Sequence, residues 1–188
     1  MNDPKHSSAV RPWWVTPWPI SLIILICVVT EVLLLLGDWG VLASTRLRFS
    51  TYEYLGFWPG LLADWRPNYA LQPYTMFLSY AFLHGGLVHL IFNMVTLRSL
   101  GIPVVERVGR AGFLLLYTAS VLGGGLCFGL LAQNTSPMVG ASGGLFGLAG
   151  GILAWQTHLG GFVAGWVVAL LIDPRSHTED NADTPAPD

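Results

Sequence analysis

Three short stretches of the chain carry residue types that do chemistry. The first is His84-Gly-Gly-Leu-Val-His89-Leu-Ile-Phe-Asn93. His89 and Asn93 are four apart, so on a helix they project from one face, and two donors in register can hold a developing oxyanion in a dry pocket. His84 lies five residues earlier, about 140° round from His89 at about 100° per residue. Asn and His also serve as hydrogen-bonded links between membrane helices, and this stretch alone leaves both readings open. The second stretch is Gly140-Ala-Ser142-Gly-Gly-Leu-Phe-Gly147, directly after a turn containing Pro137. Small residues around Ser142 let a neighbour approach the hydroxyl, and Gly143 and Gly147 form an i, i+4 packing groove. A serine at a helix N-terminus also has free backbone N–H groups beside it, able to stabilise negative charge. Taken alone, the motif reads more readily as a packing face. The third stretch, His158-Leu-Gly-Gly161-Phe-Val-Ala-Gly165, puts an imidazole on a small-residue face. Two glycine-faced helices, one bearing Ser142 and one His158, would bring nucleophile and base within about 3 Å. The plainer alternative is a helix pair enclosing one buried histidine.

The elements that must position these groups are set by composition. Of 188 residues, 53% are hydrophobic and only 11% charged, with a mean hydropathy of +0.55. A soluble domain carries about 25% charge, so a soluble monomer is nearly excluded. Eight Trp, 22 Gly and 12 Pro exclude a simple coiled coil. A net charge of −2 without a basic cluster gives no support to nucleic-acid binding. Cys27 and Cys127 both sit in apolar runs, so no disulfide framework is expected. The composition predicts an all-α, polytopic transmembrane bundle of about four or five spans, a multi-pass protein in the lipid bilayer.

A span needs roughly 20 helical residues. Residues 20–37 form the first candidate, and the absence of a small-residue cleavage pattern predicts a retained anchor. Residues 38–74 mix aromatics with Arg46, Arg48 and Arg66, as expected of a segment lying in the interface. The second span is expected over 75–100, a polar turn over 101–110 and the third span over 111–132. The fourth starts near Gly140, and the chain stays apolar to Ile172. The organisation expected is a cytoplasmic segment 1–19, a membrane domain 20–172 and an acidic, disordered tail 173–188. With the N-terminus inside, five cations lie inside against three outside, which favours that orientation. Glu31, in the first span, reads as a protonated carboxylic acid bonded to a neighbouring helix. No metal-site spacing is visible, so no cofactor is expected; haem held by His84, His89 and His158 is a minor rival.

Together these segments resemble the rhomboid intramembrane serine proteases. The matches run in order over roughly residues 65–166: Trp65-Arg66, His84…His89…Asn93, Gly101…Glu106-Arg-Val-Gly109, Gly140-Ala-Ser142-Gly143 and His158-x-x-Gly161-x-x-x-Gly165. The resemblance implies that Ser142 is the nucleophile and His158 its base, in a dyad without a carboxylate. It implies that His89 and Asn93 join the backbone N–H of Ser142 in holding the oxyanion, and that His84 organises water and local structure. Phe146 would face the imidazole, while Gly140 and Gly143 support the serine. The implied partners are single transmembrane segments of membrane-protein substrates, with no cofactor.

The chain departs from the family pattern between serine and base, where members carry a further span. Ser142 and His158 are only 16 positions apart. One continuous helix would hold them about 24 Å apart along the axis and about 160° apart around it, out of hydrogen-bond reach. Three outcomes follow: one over-long tilted helix with a broken dyad, a hairpin bent at Gly150-Gly151 or Gln156-Thr157, or a homo-oligomer in which a second copy donates the His helix. A catalytically inactive rhomboid-like protein that binds membrane spans is therefore the alternative function.

Overall fold

The computed structural model describes residues 15–42, 44–132 and 136–152. These fall within the first of two compact units, Met1–Ile152; the second, Leu153–Asp188, lies outside the described residues. Helices account for the architecture: α1 (Trp18–Asp38), α2 (Leu47–Leu55), α3 (Gln72–Ser79), α4 (Leu87–Leu131) and α5 (Ser142–Ile152). Among the described residues there is no strand, only an isolated antiparallel bridge between Phe57 and Met138.

Helix α1 begins at a proline pair, Pro17 and Pro19, where a missing N–H costs nothing. It buries Ile20, Ile23, Cys27, Glu31 and Leu34, one stripe at helical spacing. Its opposite face exposes Leu22, Leu25, Ile26, Val29, Val32 and Leu33. A helix apolar on both faces belongs in lipid rather than on a water-facing surface. Two described helices, α1 and α4, are long and apolar enough to cross a membrane.

Helix α4 has a kink at Gly109, whose φ of 74° and ψ of 175° lie outside helical geometry and favour glycine. The arms 87–108 and 110–131 each run about 33 Å, close to the hydrocarbon thickness of about 30 Å. They fold back on one another. A β-carbon added at Gly101 would lie 3.2 Å from the Phe113 ring and 2.9 Å from Ile20. A straight helix would hold residues 101 and 113 about 18 Å apart.

The structure moves two expected boundaries. The span expected over 75–100 is divided: α3 ends at Ser79, a 3₁₀ turn covers Tyr80–Phe82, and α4 starts only at Leu87 after Gly85-Gly86. Residues 101–108 continue the helix, with Glu106 and Arg107 exposed, and the expected turn narrows to Gly109, where the chain changes direction before the exposed Arg110. The interfacial expectation for 38–74 corresponds to α2, a 3₁₀ turn at Pro59–Leu62 and connecting loops. Phe57, fully buried, pins this segment, packed edge-on against Phe77, Tyr80 and Phe128.

Helix α5 packs on the second arm of α4 through its glycines. Gly143 lies against Gly124, Gly144 against Tyr117, Gly147 against Ser120 and Gly151 against Leu116. A β-carbon at Gly147 would overlap the Ser120 side chain, so this contact requires glycine. The small-residue groove read from the sequence is a packing face, and it fixes the depth at which Ser142 begins α5.

Candidate functional site

The first half of the site is built on α4. The backbone N–H of Gly85 donates to Nδ1 of His89 at 3.2 Å. That bond makes Nδ1 the acceptor and leaves the proton on Nε2, the nitrogen facing the site. One turn further, Asn93 is buried, and its Nδ2 has no hydrogen-bond partner among the described residues. A buried, unpaired amide donor costs on the order of 1–3 kcal/mol, which is worth retaining where charge must be received.

The second half is the loop leading into α5. Met138 exchanges two backbone hydrogen bonds with Phe57, of 2.9 and 3.1 Å, and the Gly140 N–H donates to the Tyr80 carbonyl at 3.0 Å. Tyr80 is held in turn, its hydroxyl donating to the Val121 carbonyl at 2.8 Å. Gly140 has a φ of 127° and its backbone presses against the α4 pair. A β-carbon there would stand 2.8 Å from Cε1 of His89, 3.0 Å from its Nε2 and 3.7 Å from Nδ2 of Asn93. Both the conformation and the space demand glycine.

Ser142 follows as the half-buried first residue of α5. Leu145 is the first residue whose N–H bonds back along the chain, to Ala141 at 3.1 Å, so the preceding amides of the turn have no helical acceptor. A cavity of about 260 Å³ opens beside the hydroxyl, lined among others by Asn93, Thr96, Ser142 and Phe146. Phe146, 75% exposed, borders this opening. Gly143 is committed to packing against Gly124 and the Tyr80 hydroxyl. The structure thus gathers His89, Asn93, Gly140 and Ser142 in one place. His158, Gly161 and Gly165 lie outside the described residues.

His84 stands behind this group, fully buried in the loop before α4, its ring edge-on to His89 at 5.3 Å between centroids. Neither of its ring nitrogens has a partner within hydrogen-bonding geometry among the described residues. Burial and the neighbouring His89 push it down to about 4, only partly opposed by the backbone of Phe82, so it is neutral at pH 7.

Glu31 is bonded to a neighbouring helix, as expected, but its partner there is a cation, Arg48 of α2, rather than a neutral group. Its carboxylate receives both terminal nitrogens of Arg48, at 2.8 and 3.2 Å, while Arg48 Nε donates to Asp38 at 2.7 Å. Burial opposes the charge on Arg48, but Glu31, Tyr52 and Asp38 outweigh it and hold the guanidinium above its usual range. Arg48 and Tyr52 both donate to the carbonyl of His84, at 3.0 and 2.5 Å. The ion pair therefore ties α1 and α2 to the loop that aims His89. The sequence carried one clue: a carboxylate inside a span calls for a cation, and Arg48 lies 17 positions away.

A rhomboid domain matches residues 71–157, a range that includes His84, His89, Asn93, Gly140 and Ser142. Residues 71–157 of the chain are a rhomboid domain. RHOMBOID-like protein 4 of Arabidopsis thaliana is 47% identical over 78 residues, 41% of this chain and 19% of that protein. Rhomboid-related protein 3 of Homo sapiens is 34% identical over 90 residues, 48% of this chain and 20% of that one. RHOMBOID-like protein 2 of Arabidopsis thaliana is 37% identical over 99 residues, 53% and 29% respectively. The chain spans about a fifth to a third of the length of the relatives it matches. Together with its apolar helices, the rhomboid domain makes this an integral membrane protein.

Proposed function

We propose that this rhomboid cleaves transmembrane segments of membrane proteins, with Ser142 as nucleophile and His158 as general base. The observation that carries the reading is the unpaired, buried Asn93 amide beside Nε2 of His89, both against the Gly140 backbone two residues from Ser142. In the proposed reaction, His158 takes the proton of Ser142 Oγ as that oxygen attacks the scissile carbonyl. The oxyanion then meets the Ser142 N–H, His89 Nε2–H and the Asn93 amide, donors fixed before charge develops. The protonated His158 gives its proton to the leaving amine, and water drawn into the polar cavity hydrolyses the acyl-enzyme. Gly140 and Gly143 hold the serine loop in place, His84 supports His89, and Phe146 flanks the base.

The 16-residue spacing favours a second reading, a rhomboid that binds spans without cutting them. Ser142 and Ile152 bound a helix about 15 Å long. Closure within one copy requires the six residues after Ile152 to double back over that distance, within the roughly 20 Å reach of extended chain but impossible for a continuing helix. Otherwise His158 comes from a second copy in a homo-oligomer. A fluorogenic transmembrane substrate in liposomes decides among these. Cleavage lost in Ser142→Ala and in His158→Ala supports the protease. Activity restored by mixing the two variants assigns the base to a second copy. Substrate that co-purifies with wild type and Ser142→Ala alike, without cleavage, supports the binding protein. Our topological reading keeps the N-terminus cytoplasmic, with four or five spans.

A further inference from the structure

A second cavity, of about 270 Å³, lies in the interfacial segment and is formed by residues remote in sequence from Ser142. Its walls include Trp58, Trp65, Glu53, Arg66, Asn68 and Gln72. The walls are fixed. Trp58 Nε1 donates to the Tyr52 carbonyl at 2.8 Å. The Trp65 indole lies directly over Gly60, where a β-carbon would collide with the ring. Gln72, fully buried, receives the Asn68 N–H at 2.7 Å and donates to the Glu53 carbonyl at 2.7 Å, closing the floor. The two indoles face each other at 5.8 Å between centroids, with planes tilted by 41°.

Against this rigid frame, the Glu53 carboxylate and the Arg66 guanidinium have no hydrogen bond or ion pair with any described residue, nor with each other. Two opposite charges on one cavity that do not neutralise one another are complementary to a ligand bearing both. Indole faces attract an ammonium, and a planar guanidinium takes a phosphate oxygen pair. The volume sits at the lower edge of small-ligand pockets, the size of a headgroup rather than of a whole lipid. Tryptophan and arginine together mark the headgroup level of a bilayer, where such a group is abundant.

We propose that the Trp58–Trp65 cavity binds a phosphate–ammonium zwitterion of the phosphoethanolamine class, with Arg66 on the phosphate and Glu53 and the two indoles around the ammonium. Its source is either a membrane phospholipid or the soluble headgroup. The site is independent of the Ser142 chemistry, and its test reads no cleavage.

The test is native mass spectrometry of the full-length protein in maltoside micelles, supplied with one probe at a time. The probes are dioleoyl phosphatidylethanolamine, dioleoyl phosphatidylglycerol (phosphate without ammonium) and dioleoyl trimethylammonium propane (ammonium without phosphate). Wild type is expected to retain the phosphatidylethanolamine about tenfold better than either single-charge lipid. Arg66→Gln is expected to lose that retention about tenfold, and Glu53→Gln to lose only the preference over phosphatidylglycerol. Both side chains border open space, and unchanged circular dichroism of each variant shows that loss is not unfolding. Displacement of the bound lipid by glycerophosphoethanolamine supports recognition of the soluble headgroup, and resistance to it supports the membrane-held lipid. Equal retention of all three lipids, or retention unchanged in both variants, overturns the proposal. A cavity that instead takes the peptide flank of a substrate gives that second, overturning result.

Discussion

Asn93 decides the reading at the scale of single residues, because a buried amide is rarely left unpaired without a use. Asn93→Ala is expected to lower kcat about a hundredfold while leaving KM nearly unchanged, since the amide meets charge only as it develops. Initial rates on the fluorogenic substrate separate the two constants. Gly140→Ala is expected to cost about 1–3 kcal/mol, because a β-carbon there meets His89 and a φ of 127° suits only glycine. The shift in thermal midpoint in detergent measures it. His84 sets a pH dependence. Its folded value of about 4 lies below the ordinary 6.5, so the unfolded chain takes the proton first as pH falls. Stability is full above about pH 6.5 and declines by roughly 3 kcal/mol as pH drops towards 4. Midpoints across that window should flatten in His84→Gln, and a flat wild-type profile would contradict the burial argument. At this scale the sequence was informative: His89, Asn93 and Ser142 are legible because polar groups in apolar runs stand out. Gly140 as a close neighbour of the pair was not legible, since a positive φ and a contact across 47 positions leave no periodic mark.

Between elements, two kinds of contact hold the site, and the sequence revealed them unequally. The α4–α5 seam is written as Gly143, Gly147 and Gly151, a repeat whose packing use follows from spacing alone. Gly147→Leu is expected to separate the helices and abolish folding to the compact form, as read by loss of a thermal transition and by faster proteolysis in detergent. The Arg48 clamp was hidden. Glu31 could be singled out as a buried carboxylate, yet its partner lies on a different helix, and nothing local distinguishes Arg48 from Arg46 or Arg66. Removing Glu31 leaves Arg48 with Asp38 as its one remaining counter-ion among the described residues, so Glu31→Ala is expected to cost about 2 kcal/mol, less than a fully unpaired charge would. The double variant with Arg48→Ala should cost less than the sum of the singles. Strict additivity in that cycle would deny the clamp. The boundaries of α3 and α4 were misplaced for a related reason. Hydropathy runs unbroken from 75 to 100, while the break at Gly85-Gly86 is a backbone event that apolar counting does not see.

Taken as a whole molecule, the chain sets His89 and the unpaired Asn93 amide against Gly140, with Ser142 at a helix start; the proposed reaction takes these as the oxyanion donors and the nucleophile and draws its base from beyond Ile152. Composition alone was enough for the membrane and the all-helical class, because 11% charge cannot clothe a soluble globule. Geometry between serine and base could not follow from spacing, since 16 residues permit a continuous helix, a hairpin of two short helices or a helix donated by a second copy. The most direct test is adduct mapping with a fluorophosphonate, which reacts only where a serine is activated beside oxyanion donors. Ser142 Oγ displaces fluoride from phosphorus and gives up its proton to the base. In liposome-reconstituted protein, intact and peptide-level mass spectrometry should find one adduct, on Ser142, strongly reduced in Asn93→Ala and absent in His158→Ala. Folded protein that forms no adduct, or one that forms equally well without His158, would contradict the Ser142–His158 account.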